Sequence, residues 1–149
     1  MHPFDQAIQL QPLGSGSYQA QTSPAYANMV GPFGGVTCAV LLNAALQHPD
    51  KLGQPVALTV NFAAPIADGA YTVTARAART NRATQHWVIE ARQASGVVAL
   101  ATAVFGTRRP TWSATEVQAP PGLTAPEDLA RLPSKKRPPW VKAYDRRFT

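Results

Sequence analysis

The sequence predicts an α+β domain in which one long, buried helix is wrapped by a curved antiparallel sheet. Two observations predict this arrangement. A Gly-rich turn at residues 30–35 opens an apolar run that continues to Gln47. Beyond that run, apolar residues recur at every second position in segments joined by short turns. One buried helix followed by four consecutive strands forms two packed layers, with the sheet curling around the helix.

Length and composition favour one globular domain with a tail. The chain has 149 residues, of which 45% are apolar and 15% are charged. These values are typical of a folded domain with a hydrophobic core. We expect residues 1–112 to form this domain.

The first segment, residues 7–21, alternates loosely between apolar and polar side chains. This pattern is typical of a hairpin or of two short strands. Ser23-Pro24 then interrupts it. We therefore expect a small β element before the helix.

The helix is predicted at residues 36–47, which are apolar nearly all round the helical circumference. Such a helix has to be buried. Gly34 and Gly35 permit close approach at its start. His48-Pro49 ends it, because the residue before a proline disfavours the helical conformation.

Four strands are predicted after the helix. They lie at residues 56–62, 71–76, 86–92 and 97–105. Asp68-Gly69 provides a turn between the first two. In the third, Trp87 lies on the apolar face, and His86 and Glu90 lie on the opposite, solvated face.

The net charge of +6 is confined to the C-terminal part of the chain. From Arg131 onward there are seven basic residues and one acid, Asp145, which gives 7 − 1 = +6. Residues 1–130 therefore balance at seven charges of each sign. Because the folded part has no basic bias, we expect no nucleic-acid partner.

The sequence also indicates the compartment. No run of about 18 uncharged apolar residues occurs, so we expect no membrane association. Residues 1–5 lack the basic start and the apolar run of a signal peptide. The single cysteine, Cys38, lies within the buried helix, where we expect it to be an apolar filler, and it fits a reducing compartment. We therefore expect a cytoplasmic protein.

Four short motifs occur in an order that carries a family resemblance. They are Phe33-Gly34-Gly35-Val36-Thr37-Cys38-Ala39, Phe62-Ala63-Ala64-Pro65, Arg79-Thr80-Asn81-Arg82 before Trp87, and Thr102-Ala103-Val104-Phe105. Together they resemble the N-terminal domain of the double hot-dog acyl-CoA thioesterases, the acyl-CoA thioesterase II type. The resemblance covers roughly residues 28–112. It implies a hot-dog fold and an acyl-thioester substrate.

The resemblance continues beyond that domain. The Pro-rich, basic residues 113–139 look like the linker that these proteins place between their two hot-dog domains. Residues 140–149 resemble the first strand of the second domain. We expect either a truncated two-domain enzyme or a tail that packs elsewhere, for example on a second copy of the chain.

The start of the helix is the candidate site. Amides at a helix N-terminus point outward with a favourable dipole, and Gly34-Gly35 would let a thioester carbonyl approach them. We assign substrate binding to Phe33, Gly34 and Gly35, and the alternative for the glycines is that they let the helix enter closely under the sheet. Asn81 and Arg82 either form an ordinary turn between two strands or bind the phosphates of coenzyme A. We include both among the substrate-binding residues.

A general base is harder to find. Asp50, Asp68 and Glu90 are the acids of the predicted fold, and we interpret all three as structural or solvated. Single hot-dog thioesterases usually carry an acid about two turns after the Gly pair, where this chain has Asn43. An amide holds water but cannot accept its proton. The catalytic candidates are therefore Gly35 and Asn43, without a base.

In the double hot-dog family the catalytic Asp, Ser or Thr, and Gln come from the second domain. Aligning this chain on that pattern places Ala57 near the Asp and Val104 near the Gln. This chain thus resembles the half that lacks the catalytic trio.

Three functions compete. The first is acyl-CoA thioester hydrolysis, and the second is a non-catalytic acyl-CoA or acyl-carrier binding module, or the non-catalytic half of a larger thioesterase. The third, a hot-dog hydratase or dehydratase, requires a His and an Asp on the segment leading into the helix, and residues 25–35 contain neither. We expect no metal site and no cofactor other than coenzyme A as part of the substrate.

A partner is expected from the fold itself. A hot-dog sheet leaves an open edge strand, and its binding tunnel lies between two such domains. We therefore predict a homodimer or a higher homo-oligomer.

Overall fold

The computed structural model describes residues 1–148 and contains one six-stranded antiparallel sheet packed on one long helix. The helices are α1 (Pro3–Ala7) and α2 (Gly34–Leu46), and the strands are β1 (Gln11–Gly14), β2 (Ser17–Gln21), β3 (Gln54–Phe62), β4 (Ala70–Thr80), β5 (Thr84–Gln93) and β6 (Gly96–Gly106). Short 3₁₀ helices lie at Pro24–Tyr26, Pro126–Asp128 and Pro139–Ala143. Among residues 1–148, no helix has the length and hydropathy needed to cross a membrane.

The strand order is β1-β2-β4-β5-β6-β3. The strand that follows α2 therefore does not pair with its successor β4, but joins the far edge beside β6. This leaves β1 and β3 as the two edges of the sheet. The predicted helix and the four strands that follow it are all present.

The long helix α2 begins two residues before its predicted start and ends one residue before its predicted end. Val40, Leu41, Ala44 and Ala45 are buried almost completely against the sheet. At its end the Gln47 N–H donates to the Asn43 carbonyl at 2.9 Å. The all-round apolar pattern thus reflects a helix that the sheet surrounds.

The sheet face toward α2 combines large and small side chains. Trp87, Ile89 and Phe105 are fully buried there. Their partners across β5 and β6 include Ala101 and Ala103, whose short side chains leave room for the helix. The alternation predicted for β5 is confirmed, because its buried residues are separated by exposed or half-buried ones.

A buried glutamine joins the loop after α2 to the sheet. Gln85, 1% exposed, accepts hydrogen bonds from the Leu52 N–H at 2.8 Å and from Trp87 Nε1 at 3.1 Å. Its amide nitrogen donates to the Asp50 carbonyl and to Thr80 Oγ1, both at 2.9 Å. All its side-chain hydrogen-bonding groups are thus paired, and two of the four bonds hold the loop after α2 on the sheet.

The N-terminal part contains the predicted hairpin, as β1 and β2, and a short helix that the pattern did not predict. In α1, Pro3 occupies the first turn and His2 caps the helix by accepting the Phe4 N–H at 3.1 Å. Proline suits the first turn because its missing N–H would be unpaired there in any case. We predicted no helix here because five residues are too few to show a helical period.

The C-terminal segment resembles the first strand of a second domain, and we expected either a truncated domain or a tail that packs elsewhere. In the structure Pro139–Ala143 is a 3₁₀ helix, and no strand is described in residues 140–148. Thr149 lies outside the described residues. Pro138-Pro139 has no N–H groups to donate to a ladder, and the following turn packs on the domain itself, where Val141 is buried. The boundaries at residues 112 and 139 stay predictions.

Candidate functional site

A pocket lies at the N-terminal end of α2. Its volume is about 380 Å³, within the range of small-molecule pockets. The lining residues come from the turn before α2, its first turn and the end of β3, namely Val30, Pro32, Gly34, Thr37, Phe62, Ala63, Ala64, Pro65 and Ile66. The lining is mostly apolar, so it suits a hydrocarbon group.

Gly31 lies between Val30 and Pro32, two residues that line the pocket, and it shapes the turn that carries them. Gly31 has φ of +68°, and a Cβ there would lie 2.5 Å from the carbonyl oxygen of Ile66. Its own carbonyl accepts the Asn28 N–H at 2.8 Å, which closes the turn. Only glycine adopts this conformation without strain and also permits such close contact.

The first turn of α2 has free donors. Phe33 precedes the helix and provides no side-chain cap. Its carbonyl accepts the N–H groups of Val36 at 3.1 Å and Thr37 at 3.3 Å. Within residues 1–148, the N–H groups of Gly34 and Gly35 have no hydrogen-bond partner. The positive end of the helix dipole therefore coincides with two unused donors, one of them on a residue that lines the pocket.

The two glycines also have a packing role. A Cβ on Gly35 would collide with the ring of Phe33, and a Cβ on Gly34 would lie 3.2 Å from Cζ of Phe62. Phe62 is the last residue of β3, so its ring joins the sheet edge to the start of α2. These contacts agree with the close-packing interpretation of Gly34-Gly35, and the donor role stays a prediction.

Phe33 does not line the pocket. Its ring stacks on Trp140 of the C-terminal segment, with centroids 4.1 Å apart and planes 6° from parallel. Tyr144 meets the same ring edge-on at 6.0 Å, and Trp140 Nε1 donates to Asn28 Oδ1 at 3.2 Å. In this chain the Phe33 side chain therefore anchors the tail beside the pocket, and a binding role for it stays a prediction.

The predicted catalytic Asn43 is also engaged elsewhere. Its amide nitrogen donates to the Ile8 carbonyl at 2.7 Å, which holds the segment after α1 on the helix. Eight residues separate it from Gly35, or about 12 Å along the helix axis. Asn43 therefore lies away from the pocket, and nothing in the pocket lining involves it.

Asn81 and Arg82 lie at the other end of the domain. They form the turn between β4 and β5, where the Asn81 N–H donates to the Thr84 carbonyl at 2.8 Å. The neighbouring Gln85 contacts Asp50 just after the C-terminal end of α2. A helix of 13 residues is about 20 Å long. Within one chain, Asn81 and Arg82 therefore do not join the pocket at the helix N-terminus.

The structure places no carboxylate in the pocket lining among the described residues. The N–H of Asp50 donates to Nδ1 of His48 at 3.2 Å, beyond the C-terminal end of α2. Asp68 is exposed in the turn before β4, and Glu90 pairs with Arg92 on the outer face of the sheet. The structural interpretation of all three acids agrees with these positions.

Cys38 is poorly suited to act as a catalytic nucleophile. Burial raises the pKa of the Cys38 thiol, so the reactive thiolate is scarce at neutral pH. Cys38 also lies outside the pocket lining. It behaves as a small apolar filler in α2.

Our sequence reasoning missed Thr37. This residue lines the pocket although it is only 2% exposed. It is the one hydroxyl-bearing residue in the apolar sequence of α2, and this exception to the pattern could have identified it.

Comparison with known families decides the classification. Residues 23–106 match the family model described as acyl-CoA thioesterase N-terminal domain, and this span exceeds half of the chain. The chain belongs to this family. The resemblance deduced from the four motifs is therefore confirmed.

Solved structures agree with the family assignment. A conserved protein of unknown function with a hot-dog fold, from Alicyclobacillus acidocaldarius, is 46% identical with a TM-score of 0.90, covering 95% of this chain and 53% of that one. The hot-dog fold is therefore confirmed.

Two mycobacterial structures share the fold at lower identity. An acyl-CoA thioesterase II from Mycobacterium marinum is 20% identical with a TM-score of 0.70, covering 86% of this chain and 47% of that one. A tesB protein from Mycobacterium avium subspecies paratuberculosis is 20% identical with a TM-score of 0.67, covering 85% and 49%. The chain spans about half the length of these structures. No curated protein matches it.

Proposed function

We propose that this protein acts on fatty acyl thioesters of coenzyme A and binds the acyl group in the pocket at the N-terminus of α2. One observation carries the proposal: in a domain of the thioesterase family, the free N–H of Gly34 borders an apolar pocket of about 380 Å³. The hydrocarbon chain fits the apolar lining, and the thioester carbonyl fits the positive end of the helix.

Hydrolysis makes two demands on a site. Water must lose a proton as it attacks the carbonyl carbon, and the negative charge on the carbonyl oxygen needs hydrogen-bond donors before the carbon–sulfur bond breaks. The pocket contains donors, but its lining includes no carboxylate or histidine among the described residues. We therefore propose that one chain binds the acyl group and that hydrolysis takes place in an assembly where another chain supplies the base.

A second candidate is a purely non-catalytic binding module for acyl-CoA or an acyl-carrier protein. The pocket lining favours it, because no residue in it can accept a proton from water. The two candidates share the acyl pocket and differ only in turnover. Either function belongs to lipid metabolism, and a cytoplasmic location suits the one free cysteine of the chain.

Turnover and binding can be measured on the same sample. We would follow coenzyme A release from short, medium and long acyl-CoA, measure acyl-CoA binding by calorimetry, and determine the mass of the protein in solution. Release above the buffer rate would establish a thioesterase. Binding without release would establish the binding module, and neither binding nor release by a folded protein would refute the proposal.

A matched pair of variants tests the location of the site. Ala64→Trp puts a large ring into the pocket, whereas Ala119→Trp adds the same ring to an exposed position outside the hot-dog domain. We expect Ala64→Trp to abolish acyl-CoA binding and Ala119→Trp to leave it unchanged. Equal binding by both variants would show that the acyl group lies elsewhere.

A further inference from the structure

The Thr37 hydroxyl is an unused polar group in an apolar setting. Thr37 lies in the first turn of α2 and is 2% exposed. No hydrogen bond from its side chain is formed within residues 1–148. A hydroxyl that makes no hydrogen bond within the protein is available to water or to a ligand.

The obvious internal partner of Thr37 is already occupied. A threonine in a helix commonly bonds to the carbonyl four residues earlier, which here belongs to Phe33. That oxygen accepts the N–H groups of Val36 and Thr37 instead. The hydroxyl is thus left for another acceptor or donor.

Thr37 is the residue with a side-chain hydroxyl in the pocket lining. Among the described residues, no fully buried side-chain oxygen or nitrogen lacks a hydrogen-bond partner. The Thr37 hydroxyl, which forms no hydrogen bond to the protein, is therefore not fully enclosed, and Thr37 is one of the residues that line the pocket. The same pocket is bordered by Gly34, whose N–H is also free. Two unused donors therefore border one cavity whose remaining lining is apolar.

We infer that Thr37 binds the substrate by donating its hydroxyl hydrogen to the carbonyl oxygen of the acyl thioester. This inference rests on the proposed function and names the residue that places the carbonyl. The carbonyl is the polar atom closest to the acyl chain, so an apolar pocket that holds the chain needs a donor only at its helix end. Thr37 and Gly34 meet this requirement from the first turn of α2.

The test compares two ligands that differ in the carbonyl. Octanoyl-CoA has a thioester carbonyl, whereas S-octyl-CoA is a thioether of similar length without one. Thr37→Val has nearly the same shape as threonine but no hydroxyl, and Thr37→Ser keeps the hydroxyl. Calorimetry on the full chain measures the Kd of both ligands for the wild type and both variants, and thermal unfolding verifies that each protein is folded.

We expect Thr37→Val to weaken octanoyl-CoA binding about threefold to tenfold, the loss expected for one hydrogen bond, and to leave S-octyl-CoA binding unchanged. Thr37→Ser should bind octanoyl-CoA within about twofold of the wild type. Unchanged octanoyl-CoA binding by Thr37→Val would overturn this inference and leave the proposed function intact. Equal losses for both ligands would also overturn it, because Thr37 would then only shape the pocket. A wild type that binds neither ligand would refute the proposed function itself.

Discussion

Single glycines determine how closely aromatic rings pack around the start of α2. The ring of Phe33 covers Gly35 and is itself stacked on Trp140, whereas the ring of Phe62 covers Gly34 and is 56% exposed. A ring held on both faces cannot move aside, but an exposed ring can. The two glycines therefore differ in how well they should tolerate a methyl group.

We predict that Gly35→Ala destabilises the protein by about 1–2 kcal/mol, because overpacking outweighs the better helix propensity of alanine. Gly34→Ala is the matched control and should change the free energy of unfolding by less than about 0.5 kcal/mol. Urea unfolding of both variants measures the difference. Equal stability of the two would show that Phe33 is not held by the stack.

The raised pKa of Cys38 gives a pH-dependent prediction. Because burial favours the neutral thiol, the reactive thiolate of the folded protein should form only above its ordinary value of 9.0. We expect the rate of alkylation to keep rising beyond pH 9, while the urea-unfolded protein, as the control, should level off near pH 9. A folded protein whose rate levels off below pH 8 would contradict the pKa direction and restore Cys38 as a candidate nucleophile.

At the scale of elements, the segment of residues 126–148 forms a compact tail held by its own hydrogen bonds. Arg147 donates from Nη1 to the carbonyls of Pro126, Glu127 and Leu129 at 2.6–3.0 Å. It also hydrogen-bonds the Asp145 carboxylate and thereby lowers the pKa of that group. Trp140 attaches this tail to the domain through Phe33.

We predict that Trp140→Ala releases the tail. Losing an aromatic stack worth about 0.5–1.5 kcal/mol should make trypsin cleavage after Lys135 and Lys136 about twofold to tenfold faster. Trp112→Ala is the matched control, because Trp112 is 83% exposed. Unchanged cleavage in the Trp140 variant would mean that Arg147 alone holds the segment in place.

For the whole molecule, the two sheet edges differ. β1 has four residues and β3 has nine. Within β3, Val56 and Phe62 are exposed apolar side chains, and Leu58 and Val60 are half-buried. A long, apolar and unpaired edge is a template for pairing with another strand. The predicted homo-oligomer is therefore best explained by contact through β3.

We predict that Val56→Lys shifts the protein toward monomer, because a charged side chain on an edge opposes pairing. Val56 is 66% exposed in one chain, so the folded monomer should tolerate the lysine. Thr74→Lys places the same charge on the exposed face of the interior strand β4 and should leave the mass unchanged. Sedimentation measures the masses, and a wild type that is already monomeric would exclude this assembly.

The sequence by itself determined the family and the long helix and main strands of the domain, although not the short helix α1. The apolar run of α2 and the alternation in β3 to β6 are local patterns, because burial on all sides or on one face repeats with a fixed period. The four motifs were equally readable, since each is a short run of neighbouring residues. The 3₁₀ helix at Pro139–Ala143 could not be read from the resemblance of residues 140–149 to a strand, because a local resemblance does not show whether a neighbouring strand is present to pair with.

Only the tertiary structure decided what the individual polar side chains do. Asn43 bonds a carbonyl 35 residues away, and Trp140 bonds a side chain 112 residues away. Thr37 lines the pocket because the fold places the first turn of α2 beside the end of β3, while Asn81 and Arg82 lie near the opposite end of the helix. Such partners depend on which distant segments meet, and sequence periodicity reports only which face of an element is buried.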